Sequence, residues 1–366
     1  MKKGRLIAFN GPGNGMEICN EPIGELDPAS VLVRNEITTI CGSDLHTYTG
    51  VRNEPCPVVL GHEIVGTIVE IGSQHSGRDY AGEKLERGDL VTWTIFSSDP
   101  SSPLSREGIP QKGADLFKYG HAQLTEKEHF HGGLSEFCIL KPGTGILKLP
   151  VNLPLELAAT VNCAVSTAAG AIRLASTLRG KRILIFGAGM LGITCAAMCR
   201  DAGAKWVGMV DVSSVRLNNA LQFGVDAIFQ RRDTSGTLLS ELVGAGSGEG
   251  MDRVFDMSGA PDAMEVGLDA LGIGGVAVWV GAVFATRKVQ VNPENLIRKL
   301  ITIRGLHNYN YEDFVKGLDF MRRNWQRFPF ASVVEKTFDF EQAEEAFAYA
   351  LANKPLRVAI RIHPTT

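Results

Sequence analysis

The sequence has no excess of basic residues and no long apolar run. Its 366 residues contain 37 Lys and Arg against 40 Asp and Glu, which gives a formal net charge of −3. Without a basic stripe, neither nucleic acid nor an anionic membrane surface is an expected partner. No apolar stretch approaches the length of about 20 residues that a membrane-spanning helix needs, so no such helix is predicted.

Two further features are missing. The start, MKKGRLIAF, lacks the long apolar core and the cleavage site of a signal peptide, and it reads as a first strand. The seven cysteines are scattered at irregular spacings and suggest no disulfide framework. A chain of this length does not need disulfides for stability, so free thiols and a reducing, cytoplasmic location are expected.

The length of the chain and a change in its sequence pattern near residue 150 predict two domains of the α/β class. Up to about residue 150 the sequence shows short β-branched runs separated by Gly and Pro. Apolar strand-like runs such as RILIFG (182–187) and WVGMVD (206–211) then alternate with helical segments, which predicts a doubly wound parallel sheet. The last sixty or so residues return to mixed strand and helix. The expected division is 1–153 with 304–366 as one domain and 154–303 as the other.

A glycine-rich loop, GAGMLG, follows the first of these strands. Gly187, Gly189 and Gly192, with Met190 and Leu191 between them, match a dinucleotide-binding turn that opens a helix. Such a helix offers free N–H groups and a positive dipole end to a pyrophosphate. The alternative is a glycine-rich turn that binds nothing.

An acid ends the next strand and favours the dinucleotide interpretation. Asp211 stands nineteen residues after Gly192. A carboxylate there accepts hydrogen bonds from the adenosine ribose hydroxyls and repels a 2′-phosphate, so NAD is expected rather than NADP.

The stretch CGSDLH (41–46) raises the question of a metal site. Cys41, His62 and Cys163 together would offer two sulfurs and one nitrogen, a set that suits a catalytic Zn²⁺ with one open position. Taken singly, each residue reads more simply as a buried thiol or a core histidine. Spacing alone does not decide between these alternatives, because the three residues are far apart in sequence.

A family resemblance covers nearly the whole chain. It rests on CGSDLHTYTG, GHEIVGTIVEIGS, GDLVTW, GGLSEFCIL, NCAVSTAAGAI, GAGMLG and VDVSSVRLNNA, in that order. Together they resemble the zinc-dependent branch of the medium-chain dehydrogenase/reductase family. The resemblance implies a GroES-like, mostly β catalytic domain with an inserted Rossmann domain, and a homodimer or homotetramer. It implies an NAD-dependent alcohol dehydrogenase that acts on a small alcohol, or on an aldehyde or ketone in reverse.

The resemblance assigns the metal centre. Cys41, His62 and Cys163 match the ligands of the catalytic zinc, the two-Cys, one-His set that alcohol dehydrogenases use. Asp44 matches the carboxylate that orients the zinc histidine. Glu63 matches an acid beside the zinc that is either a second-shell group or a transient ligand.

It also assigns the proton path and the cofactor contacts. Ser43 and His46 match a proton relay. Arg357, in KPLRVAIRI, matches an arginine that lies against the cofactor phosphates. Arg216, in VDVSSVRLNNA, is expected to contact the cofactor as well.

One departure concerns a second, structural zinc that many members hold with four cysteines. The corresponding positions are Asp99, Ser102, Ser105 and Gly113, and none is cysteine. Serine and glycine cannot replace thiolates in a closed tetrahedral site. One zinc per chain, the catalytic one, is therefore expected.

A finer resemblance concerns the substrate. The segments TTICGSDLHTYTG (38–50), LVTWTIF (90–96), GIPQKGADLFKYGH (108–121) and GLHNY (305–309) resemble alcohol dehydrogenases associated with phosphonate catabolism. That implies a hydroxyalkylphosphonate or a similar polar secondary alcohol as substrate. Two alternatives are a zinc-free NAD(P)H enone or quinone reductase of the same fold and a non-catalytic nucleotide-binding protein. The intact ligand set and Asp211 argue against both.

Overall fold

The computed structural model describes residues 3–231, 237–245 and 248–363. The strands are β1 Lys3–Phe9, β2 Met16–Pro22, β3 Val31–Thr39, β4 Glu63–Ile71, β5 Leu90–Ser97, β6 Phe117–Lys118, β7 Phe137–Leu140, β8 Thr144–Lys148, β9 Arg182–Phe186, β10 Trp206–Asp211, β11 Ala227–Gln230, β12 Met251–Asp256, β13 Leu271–Trp279, β14 Thr302–Gly305, β15 Val334–Asp339 and β16 Arg357–Arg361. The helices are α1 Gly42–Tyr48, α2 Pro103–Arg106, α3 Leu155–Thr160, α4 Ser166–Ala175, α5 Met190–Asp201, α6 Ser214–Ala220, α7 Thr237–Ala245, α8 Pro261–Ala270, α9 Pro293–Arg298, α10 Tyr311–Asn324 and α11 Ala343–Asn353. Short 3₁₀ turns lie at Pro110–Lys112, Leu221–Phe223, Phe330–Ser332 and Phe340–Gln342, and a π turn lies at Val161–Val165.

The chain forms two compact units. One comprises Met1–Cys163, Asn310–Trp325 and Phe330–Thr366, and the other comprises Ala164–Tyr309 and Gln326–Pro329. The division expected from the sequence, with borders after residues 153 and 303, stays a prediction.

The second unit contains a six-stranded parallel sheet in the order β11-β10-β9-β12-β13-β14. Strand β9, RILIF, is buried along almost all of its length, as a central parallel strand should be. The strand order reverses between β9 and β12, and this is where such sheets bind ligands, at the carboxyl ends of the strands. The predicted α/β class with a doubly wound sheet is confirmed.

The first unit contains an eight-stranded sheet with the path β15-β16-β3-β4-β5-β6, in which β7 pairs with β3 and β8 with β5. Strands β3 and β4 are antiparallel, and Thr39 pairs with Glu63 in their register. Ala359 on β16 pairs with the same Thr39 from the other side. This register brings the residues just after β3, just before β4 and at the start of β16 to one edge of the sheet.

The segment Leu155–Ala175 needs a correction to the sequence interpretation. By length and composition it passes the test for a membrane-spanning helix, although no such segment was expected. Most of its apolar stretch is buried inside the protein. A core helix of a globular fold passes the same test.

Candidate active site

Three thiol and imidazole side chains converge in the first unit. The Sγ atoms of Cys41 and Cys163 lie 4.0 Å apart. These sulfurs and a ring nitrogen of His62 all lie within 4.8 Å of one another. Two sulfurs each about 2.3 Å from one tetrahedral ion stand about 3.8 Å apart, so the spacing fits a zinc ion.

The local chain explains how these residues meet. Cys41 directly precedes helix α1, and His62 directly precedes strand β4, so the β3–β4 register brings them to the same edge. Cys163 lies in the π turn Val161–Val165 between helices α3 and α4. Such turns are common at functional sites, where they redirect a side chain from a helix.

Asp44 fixes the orientation of His62. The imidazole Nδ1 lies 3.1 Å from Asp44 Oδ1, and this carboxylate also accepts the backbone N–H groups of Cys41 at 2.8 Å and Gly61 at 3.3 Å. Asp44 is fully buried. With Nδ1 bound to the carboxylate, Nε2 is left to act as a metal ligand.

The electrostatics of the cluster suit a cation. Burial lowers the pKa of His62, but the Asp44 carboxylate and Cys41 together outweigh burial and raise that pKa well above its usual range. The pKa of Cys41 is lowered well below its usual range, chiefly by the hydrogen bond with the Cys163 thiol. Cys41 is thus prepared to bind metal as a thiolate.

Glu63 and Arg357 form a buried ion pair beside the cluster. Arg357 Nε and Nη2 each donate to a Glu63 oxygen at 2.7 Å, and Thr39 Oγ1 donates to the same carboxylate at 2.5 Å. Burial raises the pKa of Glu63, while the Arg357 guanidinium opposes that shift. Nη2 also lies 3.5 Å from Cys41 Sγ. The guanidinium is therefore engaged at the metal centre, and its role at the cofactor phosphates stays a prediction.

Helix α1 carries the two relay candidates. Ser43 Oγ lies 3.4 Å from His62 Nε2, next to the ligand cluster. His46 lies one turn further along, half-buried, and burial lowers its pKa. Both positions suit proton transfer, and neither role is tested by the geometry alone.

The glycine loop of the second unit has the shape of a phosphate cradle. Gly187 has φ +100°, and a Cβ on Gly192 would lie 1.8 Å from the Gly187 carbonyl oxygen. A Cβ on Gly189 would meet nothing within 4 Å. Met190 and Leu191 open helix α5, whose first turn has no acidic residue and no side-chain cap. The loop thus leaves room and free N–H groups for a pyrophosphate.

Asp211 holds this loop from the end of β10. Its Oδ2 accepts the Ala188 N–H at 2.6 Å and its Oδ1 accepts the Ser213 N–H at 2.8 Å. Arg216 lies half-buried in the first turn of α6. The structure therefore brings the acid to the glycine loop, and its contact with the adenosine ribose stays a prediction.

The lobe at 97–113 requires a correction. Asp99 does not face the other three predicted positions, because its carboxylate accepts from the backbone N–H and hydroxyl of Ser101. Ser98 takes its place: Ser105 Oγ lies 3.2 Å from Ser98 Oγ and 2.9 Å from Ser102 Oγ. A Cβ on Gly113 would lie 2.2 Å from Ser98 Oγ, so these hydroxyls fill the space beside the glycine.

Sequence reasoning missed the surroundings of His62. The ring of His121 packs on that of His62 with centroids 4.9 Å apart. His121 Nδ1 lies 3.3 Å from Glu54 Oε1, which in turn pairs with Arg52 at 2.5 Å. His121 and Lys118 belong to the segment GIPQKGADLFKYGH, which carried a family resemblance but no assigned role. Nothing in the local pattern signals that this segment reaches the metal cluster.

Comparisons with known proteins agree on one family. An alcohol dehydrogenase GroES-like domain matches residues 27–151, and a zinc-binding dehydrogenase domain matches residues 191–323. D-xylulose reductase of Scheffersomyces stipitis is 29% identical over 351 residues, covering 90% of each chain. 5-exo-Hydroxycamphor dehydrogenase of Pseudomonas putida is 26% identical, covering 95% of this chain and 96% of that protein. An alcohol dehydrogenase structure from Thermotoga maritima superimposes with a TM-score of 0.92 at 26% identity, covering 99% and 100%.

Proposed function

The chain belongs to the zinc-dependent alcohol dehydrogenases of the medium-chain dehydrogenase/reductase family, and from that premise we propose that it oxidises a small polar alcohol with NAD at the Cys41–His62–Cys163 centre. It is an oxidoreductase with a GroES-like domain and a Rossmann-type domain. The observation that carries the site is the convergence of the three ligand atoms within 4.8 Å. The orientation of His62 by Asp44 supports it.

The three side chains would hold one zinc ion and leave a position open for the substrate. A bound zinc ion supplies a Lewis acid that lowers the pKa of an alcohol. Ser43 Oγ, next to His62 Nε2, would accept the substrate hydroxyl proton as it gives up its own. His46 would take up a released proton at its imidazole and pass it to solvent, which suits its partial exposure.

The cofactor is proposed to be NAD rather than NADP. The open space at Gly189 and the uncapped start of α5 suit a pyrophosphate. A bound NAD would supply the hydride acceptor for the oxidation of the alcohol. The Asp211 carboxylate at the loop would repel a 2′-phosphate, and Arg216 is proposed to contact the adenosine end.

The substrate is proposed to be a hydroxyalkylphosphonate or a related polar secondary alcohol. The support is the resemblance of four segments to the phosphonate-associated subgroup. The two relatives described above are named for a pentulose and for a hydroxycamphor, so members of the family act on alcohols of different shapes. A cytoplasmic location and a homodimer or homotetramer are proposed on the same family grounds.

Zinc content and activity test this proposal together. Elemental analysis should find one zinc per chain, and Cys163→Ser should lose it, while the matched control Cys19→Ser, half-buried elsewhere, should keep it. The zinc-loaded enzyme should reduce NAD faster than NADP with an alcohol panel. Folded protein with no zinc before any chelator treatment would contradict the mechanism. Two zinc ions would contradict the interpretation of the lobe at 97–113.

A further inference from the structure

A group of charged side chains lies next to the metal histidine and has no role in the chemistry described above. It consists of Arg52, Glu54, Lys118 and His121, with Lys112 nearby. Arg52 follows helix α1, and its backbone N–H donates to the His46 carbonyl at 3.0 Å. All belong to the same compact unit as the zinc ligands.

The segment that carries Lys118 and His121 packs directly on His62. A Cβ on Gly120 would lie 2.5 Å from the Gly61 carbonyl oxygen and 3.0 Å from His62 Cβ, so only glycine fits there. The His121 and His62 rings lie 4.9 Å apart, centroid to centroid. The position of this segment is therefore fixed relative to the metal centre.

Lys118 is held beside His121 and lies within electrostatic range of Arg52, because its carbonyl accepts the His121 N–H at 3.3 Å. Phe117 and Tyr119, on either side, pack against each other with ring centroids 5.3 Å apart, in a hydrophobic cluster with Trp93. Lys118 itself is half-buried, and the charged groups that act on it are Lys112, Arg52 and Glu54.

The positive charge in this group exceeds the negative charge. Glu54 is the acid here, and it is already engaged by Arg52 at 2.5 Å and approached by His121 Nδ1 at 3.3 Å. Among the described residues no carboxylate lies within 4.0 Å of the Lys118 ammonium. Burial, together with Lys112 and Arg52, lowers the pKa of Lys118 to about 8. A half-buried ammonium without a counter-ion is costly to keep, and an added anion would relieve that cost.

We propose that Arg52 and Lys118 form a subsite for an oxyanion carried by the alcohol substrate, a phosphonate, phosphate or carboxylate, next to the metal centre. An arginine fork matches the geometry of an oxyanion, and a lysine adds a point charge. Both side chains are half-buried, so a ligand can reach them from solvent. This inference rests on the proposed alcohol dehydrogenase function and specifies its substrate as anionic.

The kinetic test compares a charged alcohol, 2-hydroxyethylphosphonate, with its uncharged dimethyl ester, which has the same carbinol. The wild-type enzyme should have the higher kcat/KM for the phosphonate. Lys118→Met should lower the ratio of the two kcat/KM values at least about tenfold, because a charge-assisted hydrogen bond is lost. Lys118→Arg should largely restore the ratio, and Lys316→Met, an exposed lysine on α10, should leave it unchanged. 3-Hydroxypropionate in place of the phosphonate separates a carboxylate from a phosphonate preference.

A binding test without turnover separates failure of the subsite from failure of the proposed function. Calorimetry with methylphosphonate, which cannot be oxidised as an alcohol, should give binding that is lost in Lys118→Met and kept in Lys316→Met. If the ester is oxidised but the phosphonate is not preferred, or if Lys118→Met leaves the ratio unchanged, the subsite is wrong and the function stands. If neither alcohol nor any in the panel is oxidised while methylphosphonate binds through Lys118, the function is wrong and the anion site stands.

Discussion

Glu63 and Arg357 neutralise each other in a part of the structure from which water is excluded. Glu63 is fully buried and Arg357 nearly so. Glu63→Gln should leave the buried guanidinium without its carboxylate partner and lower the free energy of unfolding by about 3–5 kcal/mol. Denaturant unfolding of the zinc-free protein measures it. Glu70→Gln, exposed on the same strand β4, is the matched control and should change stability by less than about 0.5 kcal/mol.

Asp44 should control the metal affinity through His62. In Asp44→Asn the side chain loses the charge that favours the Nδ1–H tautomer of His62. It also keeps only one acceptor oxygen, so its NH₂ group would face a backbone N–H of Cys41 or Gly61. Zinc affinity should fall about 10- to 100-fold. Competition with a chromophoric chelator measures this, with Asp319→Asn on the exposed face of α10 as control. An unchanged affinity would mean that Asp44 serves only the backbone.

Lys118 should give the anionic substrate a pH dependence. The charged groups that act on it are Lys112, Arg52 and Glu54, and its pKa of about 8 lies below that of an ordinary lysine. Below that pH the ammonium is charged and binds the oxyanion, and above it the charge is lost. KM for 2-hydroxyethylphosphonate should therefore rise as the pH passes about 8 in wild type. Relative to the uncharged ester, Lys118→Arg should remove that rise because arginine stays protonated.

Single residues also mark the limit of the sequence analysis. From its sequence, EHFHGG (128–133) predicts a surface loop with two solvated histidines, His129 and His131, yet His131 is buried and faces Phe117 edge-on. Burial lowers its pKa to about 4, so it is neutral. Likewise Ser98, not Asp99, completes the serine group. Tertiary packing decides which of two neighbouring residues points into the protein, and the local sequence pattern carries no information about that packing.

Among the elements, the glycine loop was the most predictable. Its strand, turn and helix are consecutive in sequence, so residue type and spacing suffice. The metal cluster depends instead on the pairing of β3 with β4 and on the π turn that carries Cys163. Neither long-range register nor a local change of helix hydrogen bonding can be read from helix or strand propensity. The ligand set was therefore available from family resemblance and not from the pattern itself.

Two glycines of the same loop should respond differently to substitution. In Gly192→Ala the new Cβ would collide with the Gly187 carbonyl oxygen, so the protein should lose about 1–3 kcal/mol of stability. In Gly189→Ala the Cβ meets no protein atom, so stability should hold while the Kd for NAD rises. Thermal unfolding and a fluorescence titration with NADH measure the two effects. Equal NADH affinity in Gly189→Ala and wild type would show that the open space is not a phosphate site.

At the scale of the whole molecule, the composition indicates a globular protein, but the net charge does not reveal where positive side chains cluster. The formal net charge of −3 suggests no anionic partner, while Arg52 and Lys118 lie together near the metal centre. The two-part α/β organisation was predictable because alternation of strand and helix extends over many residues. Two positive residues from distant segments hardly change the net charge of a whole chain, so their cluster cannot be predicted from it.

The serine group at Ser98, Ser102 and Ser105 has a consequence for the protein when zinc is scarce. These hydroxyls bind one another, so the lobe does not need an ion to keep its shape. Metal scarcity would then empty the Cys41–His62–Cys163 centre without disturbing this lobe. Supply of the ion could restore activity to existing molecules, with no need for new synthesis.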